Sequence, residues 1–178
     1  MSNNRFLKQI LLLAFVGLAS LVNAQTIELE KIKLNGTIGY SMTLDELKSS
    51  NIQIDSIRAI PELMDMSMAD SLVYIGGSYF EYFKNTNKCY LNVIKFDERV
   101  NEVRIGDLIL NNKTTVEHIQ AIFQDDCQTI QNINIYQELK PYTTCGIPLS
   151  VNGILTDSKL LFFFLEGKLS RINIWDPS

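Results

Sequence analysis

The sequence predicts an α+β protein made of two tandem repeats, each a short helix packed on an antiparallel β-sheet or meander. Two internal correspondences predict it, together with runs of strand-like segments behind single helices. FDERVNEVRIGD (96 to 107) and LEGKLSRINIWD (165 to 176) align without a gap at an offset of 69, and each reads as strand, tight turn and strand. MTLDELKSSN (42 to 51) and TTVEHIQAIF (114 to 123) align at an offset of 72, each with an early Thr, an acid soon after and apolar residues at helical spacing. A nearly fixed offset over two elements signals duplication. Strand runs after single helices exclude a doubly wound parallel sheet.

The chain opens with MSNNRFLKQILLLAFVGLASLVNAQ: basic Arg5 and Lys8, an apolar run from Ile10 to Val22, then small residues ending at Ala24. This is the pattern of a secretory signal peptide cleaved between Ala24 and Gln25. The apolar run is shorter than the roughly 20 residues of a spanning helix, and polar Asn23 and Gln25 follow it, so no membrane span is expected after cleavage. No Cys follows the cleavage position, so no lipid anchor is expected either. The expected product is a periplasmic or secreted chain. Losing residues 1 to 24 removes two of sixteen basic side chains, leaving fourteen against twenty acids, and the formal charge passes from −4 to −6. No Lys/Arg run is present, which argues against nucleic acid or anionic lipid as a partner, since both require a clustered cationic face.

The first repeat spans residues 25 to 107 and the second 108 to 178. IELEKIKL and GDLILN read as their leading strands. Thr43-x-x-Glu46 and Thr114-x-x-Glu117 read as capping boxes, in which hydroxyl and carboxylate satisfy backbone N–H groups that the first turn leaves without partners. Leu44 and Leu47 face inward in one helix, and Val116, Ile119, Ile122 and Phe123 in the other. Residues 103 to 110 are compatible with one strand running through both repeats. Gly76-Gly77 interrupts LVYIGGSYFEYF as a bulge or bend rather than a phosphate loop, because no capped helix follows.

KLLFFFLE (159 to 166) is apolar on both faces, as expected of a strand covered from both sides. After a Glu-Gly turn, LSRINIW is one-sided, with Ser170, Ile172 and Ile174 on one face and Leu169, Arg171, Asn173 and Trp175 on the other. The repeat alignment places Phe163 and Ile172 on the core face beneath the second helix. Phe162, Phe164 and Trp175 then pack on the other repeat or form a binding face. Three cysteines survive cleavage, and one disulfide with one leftover thiol is the simplest count. Cys127 and Cys145, in the connections flanking QTIQNINIYQELKPYTT, are the preferred pair; pairing through Cys89 and a fully reduced chain are the alternatives.

Ile38-Gly39-Tyr40-Ser41-Met42-Thr43 and Leu110-Asn111-Asn112-Lys113-Thr114-Thr115 before the helices, with the terminal hairpins, resemble tandem BamE/SmpA-like units, the arrangement also found in β-lactamase inhibitor protein. The chain is also similar to secreted proteins of Bacteroidetes type, with TTVEHIQAIF before a Cys and a last strand ending in Trp-Asp-Pro. It departs from the BamE pattern in lacking a lipidation Cys and the Gly-x-Pro after the helix. The resemblance therefore implies the fold and a protein-binding tendency, not outer-membrane assembly.

Chemistry-bearing motifs are sparse. His118 is the single histidine, which rules out a multi-His metal site, and in the first turn of a helix it reads as solvated. Met64, Met66 and Met68 would share one face of an extended segment and suit Cu(I), whereas a helix opened by Pro61 puts only Met64 and Met68 together; Pro-Glu-Leu favours the helix and ordinary packing. Asp125-Asp126 and Glu28/Glu30 lack the Gly and the oxygen count of a calcium loop. No metal and no cofactor are expected. Tyr74, Tyr79, Phe80, Tyr82 and Phe83 crowd one segment, and Trp175 ends the last strand. Tyr79, Tyr82, Phe162, Phe164 and Trp175 are the expected binding surface, since Tyr and Trp are what protein-binding faces use. The function expected is that of an exported, non-enzymatic protein-binding module of the bacterial envelope. An assembly-associated structural protein and a small carboxylate-dependent hydrolase are the alternatives, and two facing acids with raised pKa values in one pocket would mark the hydrolase.

Overall fold

The computed structural model of the chain describes residues 25–64, 67–124, 126–135 and 139–177. The leader with its cleavage residue Ala24, together with Met66 and Asp125, lies outside the described residues.

Strands dominate. β1 (Ile27–Glu28), β2 (Ile32–Leu34), β3 (Ile38–Gly39) and β4 (Ser41–Thr43) precede α1 (Leu44–Ser49). β5 (Ser56–Arg58), β6 (Ser71–Ile75), β7 (Ser78–Phe83), β8 (Lys88–Lys95), β9 (Val103–Ile105) and β10 (Leu108–Leu110) lead to α2 (Val116–Ile122). β11 (Gln131–Ile133), β12 (Tyr142–Val151), β13 (Ile154–Leu165) and β14 (Lys168–Trp175) complete the chain. Ten strands form one mixed sheet along the path β1-β12-β13-β14-β8-β7-β6-β5, with β11 added to β12 and β4 to β8. β10-β9-β2-β3 form a second, four-stranded sheet.

This corrects the expected α+β class and its two meander repeats. Neither sheet is confined to one half of the chain: β10 pairs with β9 in the small sheet, and β14 pairs with β8 in the large one. The two aligned segments also differ in outcome. Residues 165 to 168 close a two-residue turn in which Glu166 (φ 52°) and Gly167 (φ 77°) both take positive φ, the conformation that matches strand twist in a hairpin. In residues 96 to 107 the Asp97 carboxylate instead accepts the N–H groups of Arg99 (2.7 Å) and Val100 (2.9 Å), curling the chain out of the large sheet. β9 then pairs with β2 and β10, not β8. Residues 103 to 110 are likewise not one strand but a hairpin that turns at Gly106-Asp107.

Of the bulge or bend expected at Gly76-Gly77, the chain makes the bend: a tight hairpin turn with Ile75 facing Ser78. Its amides are captured by two distant acids: Gly76 N–H donates to Asp55 (2.5 Å) and Gly77 N–H to Asp97 (2.7 Å). Arg99 bridges back to Asp55 at 2.9 Å. Asn152 (φ 52°) and Gly153 (φ 74°) make the other two-residue turn, between β12 and β13.

The Thr43 capping box is present, with Glu46 N–H on the Thr43 hydroxyl at 3.1 Å and Thr43 N–H on the Glu46 carboxylate at 2.7 Å. The second cap lies one residue later than expected. Thr115 receives the N–H of His118 at 3.3 Å, while Thr114 receives that of Asn111 at 3.0 Å.

One core lies between the helices, the small sheet and one face of the large sheet. Leu34, Val103, Leu110, Ile119, Phe162 and Ile172 belong to a single buried cluster. The core face of β13 differs from the expected one. Phe162 pairs with Ile172 and stacks on Phe123 at 6.1 Å, so Phe162, not Phe163, lies on the core face. A bulge between Phe163 and Phe164 sets Phe164 opposite Leu169 and brings Leu169 into the core beside Ile172 and Ile174. Phe163 is buried on the opposite face, edge-on to Tyr142 and beneath Arg171. The Cys127–Cys145 bond forms, with Cα atoms 5.2 Å apart, and Cys89 is a buried free thiol. Burial pushes the Cys89 thiol up to about 11.

Candidate functional site

The site is built where the large sheet forks. β8 holds two strands along one edge: β14 pairs with Val93, Ile94 and Lys95, and β4 pairs with Lys88, Cys89 and Tyr90. Between them the Leu91 N–H donates to the Tyr40 carbonyl at 2.8 Å. β14 leaves β8 and continues against β13 as far as Trp175 opposite Lys159. Pro177, which has no N–H to donate, follows two residues on. On the other edge of β8, Tyr79 faces Val93 and Phe80 faces Leu91, so Asn92 is an inserted bulge residue at the level of the fork. Bulges re-aim side chains, and Asn92 hydrogen-bonds the Glu81 carboxylate.

Two hollows open at the fork, of about 360 Å³ and about 450 Å³. They share Glu81, Phe83, Asn92, Ile174 and Asp176 as walls and form one cleft. Leu29, Tyr40, Tyr90 and Val151 close the inner hollow, and Met64, Met68, Asn173 and Trp175 the outer one. The rings of Tyr40 and Tyr90 stand 5.8 Å apart and tilted, with Phe83 edge-on to Tyr90 at 5.7 Å.

Burial raises the Glu81 carboxyl above the ordinary glutamate range, against the opposing bonds from Ser67 and Asn92, and nearby Asp176 adds to the rise. The Ser67 hydroxyl donates to Glu81 Oε1 at 3.1 Å. Tyr40 is pushed up to about 12, first by burial and then by the charges of its neighbours, so its hydroxyl remains a donor. Among the described residues no Lys, Arg or His lines either hollow.

Of the residues expected to form a binding surface, the fork gathers one. Trp175, 45% exposed, stands at the rim of the outer hollow. Tyr79 lies on the same strand as Glu81 and two residues away, but its ring packs on Tyr74 at 5.7 Å. Tyr82 points to the core side, with its hydroxyl on Asn87 at 3.3 Å. Phe162 and Phe164 are 0% and 1% exposed and so offer nothing to a partner; the alternation of β13 turns both to the core. Met64 and Met68 both line the outer hollow; Pro61 opens a single 3-10 turn over Glu62–Met64 that ends before Met68, so the two do not share a helix. His118 is exposed on α2.

No family model, curated protein or solved structure matches the chain. The assignment of the cleft therefore rests on its own chemistry. Tyr40, Glu81, Tyr90 and Asn92 escaped sequence reasoning because they are brought together only by pairing distant strands. A local signal existed for two of them: Glu81 is the one charge in SYFEYF, and Asn92 interrupts the apolar run of β8. Among the described residues no group of three or more His, Cys, Asp or Glu is placed to hold a metal ion.

Proposed function

We propose that the chain is an exported, non-enzymatic binding module that takes part of another protein into the fork cleft between β4 and β14. The observation that carries this reading is the cleft itself: a hollow walled by Tyr40, Phe83, Tyr90 and Trp175 with Asn92 and Glu81 between them. Rigid aromatic walls around a few hydrogen-bonding groups are the composition that binding sites favour. The Cys127–Cys145 bond is compatible with an oxidising compartment, and among the described residues no helix is long and apolar enough to cross a membrane. The leader ending at Ala24 supplies the route of export.

One observation favours a second reading. Glu81, with its raised pKa, shares the cleft with Asp176, and two carboxylates in one cleft are the equipment of a hydrolase. The two readings separate in an affinity capture from the envelope fraction of the producing cell, with Ile109→Ala as the control on the other sheet. A binding module recovers a stoichiometric protein with wild type and Ile109→Ala, and loses it with Trp175→Ala. Hydrolysis of an envelope substrate that stops in Glu81→Gln would replace the binding reading with the enzymatic one.

A further inference from the structure

We propose that the fork cleft is a receptor for a primary ammonium group on an apolar stem, the lysine side chain of a partner protein. This rests on the binding reading above and names the chemistry of its ligand. Three features of the cleft converge on a cation.

The first is charge. Glu81 lines both hollows, and among the described residues no Lys, Arg or His lines either of them. Glu81 is held by a hydroxyl and an amide, neither of which neutralises it. An arriving ammonium supplies that neutralisation in a site partly screened from water, where an ion pair counts for more than on an open surface.

The second is the aromatic wall. The faces of Tyr and Phe attract cations. This sheet uses that attraction elsewhere with its own side chains: Arg58 lies over Tyr74 at 5.0 Å and Arg171 over Phe163 at 5.9 Å. At the fork, Tyr40, Tyr90 and Phe83 form a ring cluster that lines the same hollow as the Glu81 carboxylate.

The third is the apolar lining. Leu29, Leu91, Val151 and Ile174 line the inner hollow together with Glu81, which suits the methylene stem of lysine. Compactness favours ammonium over guanidinium: Glu81 already accepts from Ser67 and Asn92, leaving room for a point donor rather than a planar fork.

The test uses the full exported protein in an NMR titration with n-butylammonium, and with n-butanol as the neutral isostere. Saturable shifts of the Asn92 side-chain amide and the Trp175 indole are expected with millimolar butylammonium, and at least tenfold weaker binding of butanol. Glu81→Gln is expected to reduce butylammonium to the butanol level; if that variant does not fold, Asp176→Asn at the exposed strand end is expected to weaken butylammonium severalfold and leave butanol unchanged. Equal binding of the two probes at the fork overturns the cation assignment while leaving the fork a binding cleft. No perturbation at the fork by butylammonium overturns the assignment as well, and if Trp175→Ala also leaves partner recovery intact, the binding reading falls with it. A butylguanidinium probe that binds tenfold more tightly than butylammonium overturns the choice of lysine.

Discussion

Asn92 bulges from β8 and hydrogen-bonds the Glu81 carboxylate of β7, so the irregularity that admits the fork also positions its one half-buried acid. The same burial raises Glu81 above its ordinary value of 4.5. A raised carboxyl is neutral in both states below the unfolded pKa and opposes folding once it ionises, so the stability it leaves intact in acid is lost as pH rises through the folded pKa. Glu81→Gln is therefore expected to melt above wild type at pH 7, with the gap closing as pH falls below about 4.5. Thermal unfolding of both proteins between pH 4 and 8 checks this; a gap independent of pH would show that Glu81 is not strained by burial.

Asp97 shows the opposite balance. Burial acts to raise its carboxyl, but the N–H groups of Gly77, Val100 and Arg99 outweigh that and hold it below the ordinary aspartate range. Its contribution to stability is present above its unfolded pKa and is lost as pH falls through the lower folded one. The turn it holds accepts no side chain: Gly76 has φ +59°, and a Cβ there would come within 2.1 Å of Asp97 Oδ2. Gly76→Ala is expected to cost about 2 kcal/mol in denaturant unfolding. Asp97→Asn is expected to be destabilising at pH 7, with the deficit shrinking in acid.

The two faces of β13 predict unequal mutants. Phe162→Ala removes a ring stacked on Phe123 in the core and is expected to cost about 3–5 kcal/mol. Phe163→Ala opens a gap only beneath Tyr142 and Arg171 and is expected to cost less. Urea unfolding of both variants orders them, and a larger loss at Phe163 would reverse the assignment of the core face.

Thiol chemistry tests the disulfide and the buried Cys89 together. Native protein at pH 8 is expected to show no reactive thiol, because Cys89 is buried and its pKa stands at about 11. Denaturation is expected to release one thiol, and denaturation with reduction three. Replacing both Cys127 and Cys145 by Ser removes a link across 18 residues and is expected to cost about 3 kcal/mol.

Local chemistry was legible in the sequence where it depended on neighbours alone. The Thr43–Glu46 box, the Glu166-Gly167 turn and the two-sided burial of β13 all follow from residues within a few positions of one another. The preferred cysteine pair also formed. Phase was the first loss. A single bulge after Phe163 put Leu169 on the core face, and no alternating pattern announces which residue will be skipped. The Asn152-Gly153 turn is also legible, as Asn-Gly between apolar stretches. The duplication failed for a different reason: apolar spacing is shared by residues 96 to 107 and 165 to 176, but whether a turn closes depends on Asp97 finding Gly77 across the sheet. The fork was beyond any local reading, since Tyr40, Glu81, Asn92 and Trp175 meet only after β4, β7, β8 and β14 have paired.

Site-specific photocrosslinking in the producing cell tests the fork as a binding cleft most directly. A benzophenone side chain placed at position 175 is expected to capture a discrete envelope protein, and the adduct is expected to disappear when Glu81→Lys fills the cleft with a cation of the chain's own. The same group at position 109, exposed on the second sheet, is expected to capture nothing comparable. Equal capture from positions 175 and 109, or an adduct at 175 that persists with Glu81→Lys, would contradict the account.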